Sequence, residues 1–257
     1  QILGAAAGAS GLPPHAERPL VYLGRLNGEE WVPAAMLSIR RHHDGDLGGI
    51  ELLEEIDRQA HLMRLLLIGR DKRASRFAAI SAAIRSGRTA DAALSLFEPT
   101  RDEVKLIAFN LQSLWRRNPS FAKLLLLRIA DERSGMLNRV DPATLSIEHI
   151  LPQRPSKTSN WKRDFKDADE RTALTQCLGN LILVSARRND ALSNEDFEVK
   201  RPMLARVEKS GLEYALLSDV ITASTWGASE IRERDANLRR VVGQWFRIDG
   251  NLAVGKR

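Results

Sequence analysis

The spacing of hydrophobic residues along the chain predicts a mostly helical protein. Between residues 50 and 68, apolar side chains recur at steps of three and four and would form one face of a long helix. The same spacing, with capping residues at the ends, predicts further helices. These cover 73–86, a stretch from Thr89 to just before Pro99, one from Thr100 or Asp102 through Leu114, one from Asn118 to near Gly135, and segments after residue 200.

Two short apolar runs depart from this helical spacing. The first ends at Pro152, and the second, residues 178–184, opens with a Gly-Asn pair. Short runs bounded by turn-forming residues are typical of strands. A polar loop with an asparagine follows, and a helix is expected from Ser193 or Asn194. The pattern predicts a β–β–α unit, so the predicted fold class is α+β, mostly α-helical.

The chain is expected to have two parts. Residues 1–140 are predicted to form a helical scaffold, and residues 141–257 the ββα unit with the C-terminal helices. The N-terminal stretch of about 30 residues, rich in Gly, Ala and Pro, is expected to be irregular. Because the chain begins with Gln1 and lacks a basic leader, we interpret it as the cut end of a longer protein. No apolar run approaches the ~20 residues that a membrane span needs.

Polar side chains gather around the ends of the two predicted strands. Glu148 and His149 lie at the end of the first run, Asn180 opens the second, and Asn189 follows the second. A carboxylate and amide oxygens suit a hard divalent cation, and an imidazole with a pKa near 6.5 can take a proton from water near neutral pH. The sequence therefore predicts a site that holds a metal and activates a water.

These residues carry a family resemblance. The stretch Ile147-Glu148-His149-Ile150-Leu151-Pro152-Gln153, then Leu178-Gly179-Asn180-Leu181, and then Asn189, Leu192-Ser193-Asn194, Phe197 and Lys200 occur in order. This ordered set resembles the HNH (His-Me finger) nuclease superfamily. More closely, it is similar to the C-terminal nuclease domain of the GmrSD and SspE type of bacterial restriction and phage-defence proteins.

The resemblance implies roles for four residues. His149 would be the general base and Asn180 would orient it, its side-chain amide gripping a backbone carbonyl. Asn189 and Glu148 would bind Mg²⁺ or Mn²⁺. Neighbours in a regular strand point to opposite faces, so Glu148 can share a site with His149 only if the strand ends or bulges there. The other interpretation of Glu148 is a salt bridge with a nearby arginine.

Several basic residues are candidates for binding phosphates. Lys200, Arg187 and Arg188 follow the motif and could hold a DNA backbone as point charges or forks. The last predicted helix, which begins at Ser229, has an arginine-rich side that is expected to be solvated or to touch phosphates. Its members are Arg232, Arg234, Arg239 and Arg240.

Charge and cysteine content agree with these expectations. The formal net charge is +6 and the sequence pI about 9.8, which suits a polyanionic partner. Cys177 is the single cysteine, so no intrachain disulfide can form and a reducing cytoplasm fits. The resemblance implies that this cytoplasm is bacterial. No phosphate-cradling Gly-rich loop is present, and the resemblance implies that a nucleotide-dependent sensing domain precedes this part in full-length relatives.

The predicted function is a metal-dependent DNA endonuclease of restriction and anti-phage defence. Three alternatives stay open at this stage. One is a DNA-binding module with a degenerate, inactive HNH centre, another is an RNA-cutting enzyme, and the last is a structural helical adaptor.

Overall fold

The computed structural model describes residues 12–13, 16–46, 48–87, 98–207 and 211–248. The chain divides into two compact units, residues 1–103 and 104–257. The first unit consists, in its described part, of helices α1 (Glu17–Arg25), α2 (Val32–His43), α3 (Gly48–Leu65) and α4 (Arg70–Arg85), and α5 (Arg101–Leu111) begins at its end. Helix α2 packs against both α3 and α4, and α1 packs against α3.

The second unit carries the only sheet found in the described residues. After α5 come α6 (Leu114–Arg117), α7 (Pro119–Ser134), β1 (Leu145–His149), α8 (Asn160–Asp164), α9 (Ala168–Gln176), β2 (Leu181–Ser185), α10 (Ala186–Leu192), α11 (Phe197–Leu204), α12 (Gly211–Thr222) and α13 (Ala228–Phe246). Strands β1 and β2 are antiparallel, and His149 lies opposite Leu181. The mostly helical α+β class is thus confirmed.

Helix α7 forms the apolar backing of the second unit. The side chain of Asn118 caps it by accepting from the N–H of Phe121 at 3.2 Å, and Gly135 ends it in the left-handed conformation. Its run of four leucines is buried. Helix α7 packs against α12 and both strands, so it holds the sheet from one side.

An apolar cluster packs around β2 and the segment that follows β1. It contains Ile150 and Leu151 from the motif, Ile182 and Val184 from β2, and aromatic side chains that include Trp161 and Trp226. The indole N–H of Trp161 donates to the carbonyl of Glu195 at 3.0 Å. The long connection between β1 and β2 is therefore anchored by apolar burial and by this hydrogen bond.

Some local predictions were wrong. Residues 17–25 are helical rather than irregular, because Leu20, Tyr22 and Leu23 make a buried side of α1. Asn189 lies in helix α10 rather than in a loop, since Ser185 caps this helix by accepting from the N–H of Arg188 at 3.3 Å. The next helix, α11, starts at Phe197 after Asp196, not at Ser193 or Asn194.

The boundary between the two parts of the chain also differs from the predicted one, and one predicted helix lies mostly outside the described residues. The boundary between the compact units falls at residue 103, whereas the sequence suggested 140, because α7 packs on the strands. The helix predicted from Thr89 to Pro99 lies outside the described residues over most of its length. In the described part of the chain, no helix combines the length and apolar character required to cross a membrane.

Candidate active site

His149 ends strand β1 as a buried imidazole, and its Nε2 atom is itself buried. The residue is 6% exposed, and its Nε2 atom has no hydrogen-bond partner among the described residues. The Nδ1 atom lies 3.4 Å from the side-chain nitrogen of Gln153, four residues further on. The indole ring of Trp115 meets the imidazole edge to face, with 5.5 Å between the ring centroids. Nε2 is therefore the atom through which this ring can act.

The electrostatic surroundings keep this imidazole neutral. Burial, followed by the positive charge of Lys200, lowers the pKa of His149 to about 4. At neutral pH the ring consequently carries a lone pair on one nitrogen and no net charge. A neutral imidazole can accept a proton, which the protonated form cannot.

Asn180 locks the main chain immediately after His149. The N–H of Leu151 donates to its Oδ1 at 2.8 Å, and its Nδ2 donates to the carbonyl of Leu151 at 2.9 Å. Its backbone carbonyl accepts from the N–H of Ile150 at 3.1 Å. Further bonds join the amide to the carbonyl of Thr175 at 3.1 Å and to the indole N–H of Trp226 at 3.3 Å. The side chain does grip a backbone carbonyl, as the sequence suggested.

Helix α13 holds the turn that presents Asn180. Asp235 accepts from the N–H of Gly179 at 3.0 Å, and the guanidinium of Arg234 donates to the carbonyls of Gly179 at 2.6 Å and Leu181 at 3.0 Å. A Cβ at Gly179 would collide with the carbonyl oxygen of Ile231 and lie 2.6 Å from the nitrogen of Asp235. The backbone of α13 thus touches the turn, and only glycine fits there.

The arginine-rich side of α13 is therefore only partly exposed to solvent. Arg234 is 2% exposed and Arg239 is 3% exposed, which corrects the expectation that this side is solvated. Arg239 donates to Asp235 at 2.6 Å. Arg232 and Arg240 are exposed, as expected. Two of the four arginines are buried because they bind carbonyls and a carboxylate that the turn and the helix bring together.

Glu148 forms a buried ion pair on the other side of the strand. The ammonium of Lys200 in α11 lies 2.5 Å from Oε1 of Glu148, and it also donates to the carbonyls of His149 at 3.0 Å and Ile150 at 3.2 Å. Burial raises the pKa of Glu148 and lowers the pKa of Lys200, and their mutual attraction opposes both shifts. The salt bridge anticipated for Glu148 exists, but its partner is a lysine rather than an arginine.

The predicted phosphate-binding residues have different environments. Lys200 is 0% exposed, so its ammonium is not presented to a phosphate at the surface, contrary to the expectation. The guanidinium of Arg188 also acts within the protein, because it donates to Glu213 at 2.9 Å and to the carbonyl of Met203 at 2.7 Å. Arg187, on helix α10, is exposed. Of the three, Arg187 alone is placed where it could meet a phosphate.

Asn189 supplies a second buried acceptor. Its Oδ1 atom is buried and has no hydrogen-bond partner among the described residues. Helix α10, which carries it, packs against both β1 and β2. A buried amide oxygen without a donor is costly in a folded protein, and a bound cation would satisfy it.

Two oxygen donors of the kind that a hard, weakly caged divalent cation accepts lie in this unit. Asn189 offers an amide oxygen, and Glu148 offers a carboxylate that is paired with Lys200 on the other side of β1 from His149. The part of the chain that the structure describes contains no group of three or more His, Cys, Asp or Glu side chains able to hold a metal. Magnesium accepts few protein ligands and keeps several waters.

Sequence reasoning missed three contributors to this site. Trp115 had no motif to mark it, and Arg234 and Asp235 lie more than fifty residues beyond Asn180. The alternation of apolar and charged residues along α13 was the one feature of the sequence that pointed to Arg234 and Asp235. It showed a helix with a charged side, but it did not show that part of that side is buried against the Gly179 turn.

A comparison with known proteins identifies the family of the chain. Residues 100–241 match a family of restriction endonucleases, so the second unit is a nuclease domain of that type. The match covers more than half of the 257 residues, and the chain belongs to the family described as GmrSD restriction endonucleases, C-terminal domain. The predicted relationship to the GmrSD type is confirmed. No curated protein and no solved structure matches the chain.

Proposed function

We propose that this domain is a metal-dependent DNA endonuclease of the HNH type. The observation that carries the proposal is the buried, neutral imidazole of His149 on strand β1, against which helix α10 with Asn189 packs. Neither Nε2 of His149 nor Oδ1 of Asn189 has a hydrogen-bond partner within the described ranges of the chain. Phosphodiester hydrolysis needs a proton acceptor for water and positive charge on the phosphate oxygens. His149 would be the proton acceptor. Oxygen donors at the site would bind the cation that supplies the positive charge.

In this mechanism His149 accepts a proton from the attacking water through Nε2. Asn180 keeps the ring in place because it fixes the main chain of Leu151 from both its N–H and its carbonyl. Glu148 and Asn189 would hold Mg²⁺ or Mn²⁺, which when bound supplies Lewis-acid stabilisation of the phosphate and the leaving oxygen. Arg187 is the exposed cation of the predicted set and would contact a phosphate of the substrate.

Lys200 takes a role different from the one first expected. Because its ammonium contacts Glu148 and two carbonyls at the end of β1, it would keep the carboxylate ionised and hold the strand end. Its own charge is enclosed, so it would act on the substrate through Glu148 and through its effect on the pKa of His149. Arg188 would likewise support α10 rather than bind DNA.

The biological setting we propose follows from the family. The domain would act in restriction of foreign or phage DNA in the bacterial cytoplasm, together with a nucleotide-dependent sensing domain elsewhere in the full-length protein. The proposal rests on the family description and on the basic balance of the chain, +6 at pH 7.

A second candidate function is DNA binding without cleavage. The Glu148–Lys200 ion pair favours it, because a carboxylate already neutralised at 2.5 Å is a weaker metal ligand than an unpaired one. In that case the domain would bind DNA and the centre would be inactive.

A nicking assay separates the two functions. Supercoiled plasmid is incubated with the whole chain in Mg²⁺, in Mn²⁺ and in EDTA, and the nicked and linear forms are quantified. We expect metal-dependent nicking that falls by about 100-fold or more in His149→Ala, because a general base is lost. His43→Ala, at an exposed histidine in α2, is the matched control and should retain full activity. Equal nicking by wild type and His149→Ala overturns the catalytic role, and binding without nicking establishes the second candidate.

A further inference from the structure

We propose that an aromatic–basic face, formed by Phe109, Trp115, Arg116 and Arg117, binds the DNA strand beside the phosphate that is cut. This inference rests on the proposed nuclease function and names where that function takes its substrate. None of the four residues belongs to the sequence motif. They lie at the end of α5 and in the short helix α6, which immediately precede α7.

The first argument is the position of Trp115. Its ring centroid is 5.5 Å from that of His149, and the residue is only partly buried. A water activated by His149 lies within hydrogen-bonding distance of the imidazole, about 3 Å, and the attacked phosphate lies next to that water. A nucleotide in that position is within reach of the indole. Stacking on an aromatic ring is how proteins hold bases without reading their sequence.

The second argument is the charge of this part of the chain. Residues 104–130 contain five cations, Lys105, Arg116, Arg117, Lys123 and Arg128, and no acid. Arg116 and Arg117 are exposed, and neither forms an ion pair with any described residue. Elsewhere in the second unit, arginines such as Arg133 and Arg232 are paired with acids. Two adjacent guanidiniums without acid partners complement a polyanion.

The third argument is an exposed aromatic side chain that is already arranged with an arginine. Phe109 is 50% exposed, and the guanidinium of Arg117 lies over its ring at 4.6 Å from the centroid. Arg117 also donates to the side chain of Asn110 at 3.3 Å, which orients it further. An exposed phenylalanine beneath an ordered guanidinium is a prepared platform for a base and its phosphate.

DNA binding is measured in the His149→Ala background, so that the result does not depend on cleavage. A fluorescently labelled duplex is titrated with the whole chain at several salt concentrations, and the dissociation constant is obtained from anisotropy. Arg116→Gln with Arg117→Gln should lower the slope of log K against log salt by about 1.8, since each phosphate contact contributes about 0.9. Arg163→Gln with Arg232→Gln, two exposed and acid-paired arginines, is the matched control and should leave the slope within about half a unit of the parent.

The role of Trp115 is tested by a conservative and a drastic change. Trp115→Leu should weaken binding roughly tenfold without changing the salt slope, whereas Trp115→Phe should bind nearly as tightly as the parent, because stacking requires a ring and not a charge. Melting temperatures of both variants show whether they fold.

Unchanged affinity and salt slope in the double arginine variant, which alters only exposed side chains, overturn the inference. If wild type fails to cut DNA while these variants still show the expected losses, the proposed function fails and the binding face stands.

Discussion

Asn180 pairs with Leu151 through both of its side-chain amide atoms, at 2.8 Å and 2.9 Å. The Asn180 side chain thereby makes the two hydrogen bonds with Leu151 that the backbone of a further β2 residue would make. It extends the β1–β2 pairing by one residue pair. The bonded segment begins two residues after His149. The position of His149, the proposed general base, is consequently tied to an amide that is completely buried.

Removing this amide should destabilise the protein strongly. Asn180→Ala leaves the N–H and carbonyl of Leu151 and the carbonyl of Thr175 buried without partners, so we expect a loss of about 3 kcal/mol in the free energy of unfolding. Urea denaturation followed by circular dichroism measures it. Asn194→Ala changes an exposed asparagine and should cost less than about 0.5 kcal/mol. Equal losses in the free energy of unfolding for the two variants would contradict the role of Asn180 in holding the chain at Leu151.

Gly179 tests the contact between the turn and helix α13. In Gly179→Ala the added methyl meets the backbone of Ile231 and Asp235, and a helix backbone cannot move aside cheaply. We expect a loss of about 3 kcal/mol and a lowered melting temperature. Gly69→Ala places a methyl where nothing lies within 4 Å, and its cost should stay near 1 kcal/mol or below, the range for a changed N-cap. A tolerated Gly179→Ala would show that α13 does not press on the turn.

The buried imidazole makes stability depend on pH in a defined direction. Because the pKa of His149 is about 4 when folded and near 6.5 when unfolded, the unfolded chain binds more protons between these values. Stability contributed by the neutral ring is complete above pH 6.5 and is lost as the pH falls towards 4.

The measurement compares wild type with His149→Gln in metal-free buffer. The difference between their free energies of unfolding should shrink by about 2 kcal/mol from pH 7 to pH 4.5, and contributions of the other histidines cancel in this difference. A difference that stays constant over this range would mean that the imidazole titrates normally in the folded protein.

The Glu148–Lys200 pair should show strong coupling. Lys200→Met leaves a buried carboxylate without its counter-charge, and Glu148→Gln leaves a buried ammonium, so each change should cost about 3 kcal/mol or more. The double variant removes both charges and should cost clearly less than the sum of the two. A double-mutant cycle from urea denaturation gives the coupling energy. The exposed pair Arg163–Asp164 serves as the reference cycle, with a coupling below about 1 kcal/mol, and additive effects at Glu148 and Lys200 would contradict the ion pair.

The sequence alone was sufficient for much of the local structure around the site. The apolar runs predicted the two strands, Asn118 predicted the start of α7, and the Gly-Asn pair marked the amide that grips the chain after His149. These features depend on neighbours a few residues apart, whose side-chain spacing and capping preferences are written directly into the sequence. The start of α1 and the helix around Asn189 were missed, because buried sides of short helices leave little periodicity to detect.

The tertiary structure decided the partners of the charged groups. Whether Glu148 meets a metal, an arginine or Lys200, and whether Arg234 is solvated or buried against Gly179, depends on residues more than fifty positions apart in the chain. Such pairings follow from where helices α11 and α13 place Lys200 and Arg234 against the ends of the strands. The free energy of a charge depends on whether such packing removes water from it. Tertiary packing also brings Trp115 of α6 against His149 from a segment without any motif, and no local pattern could have shown it.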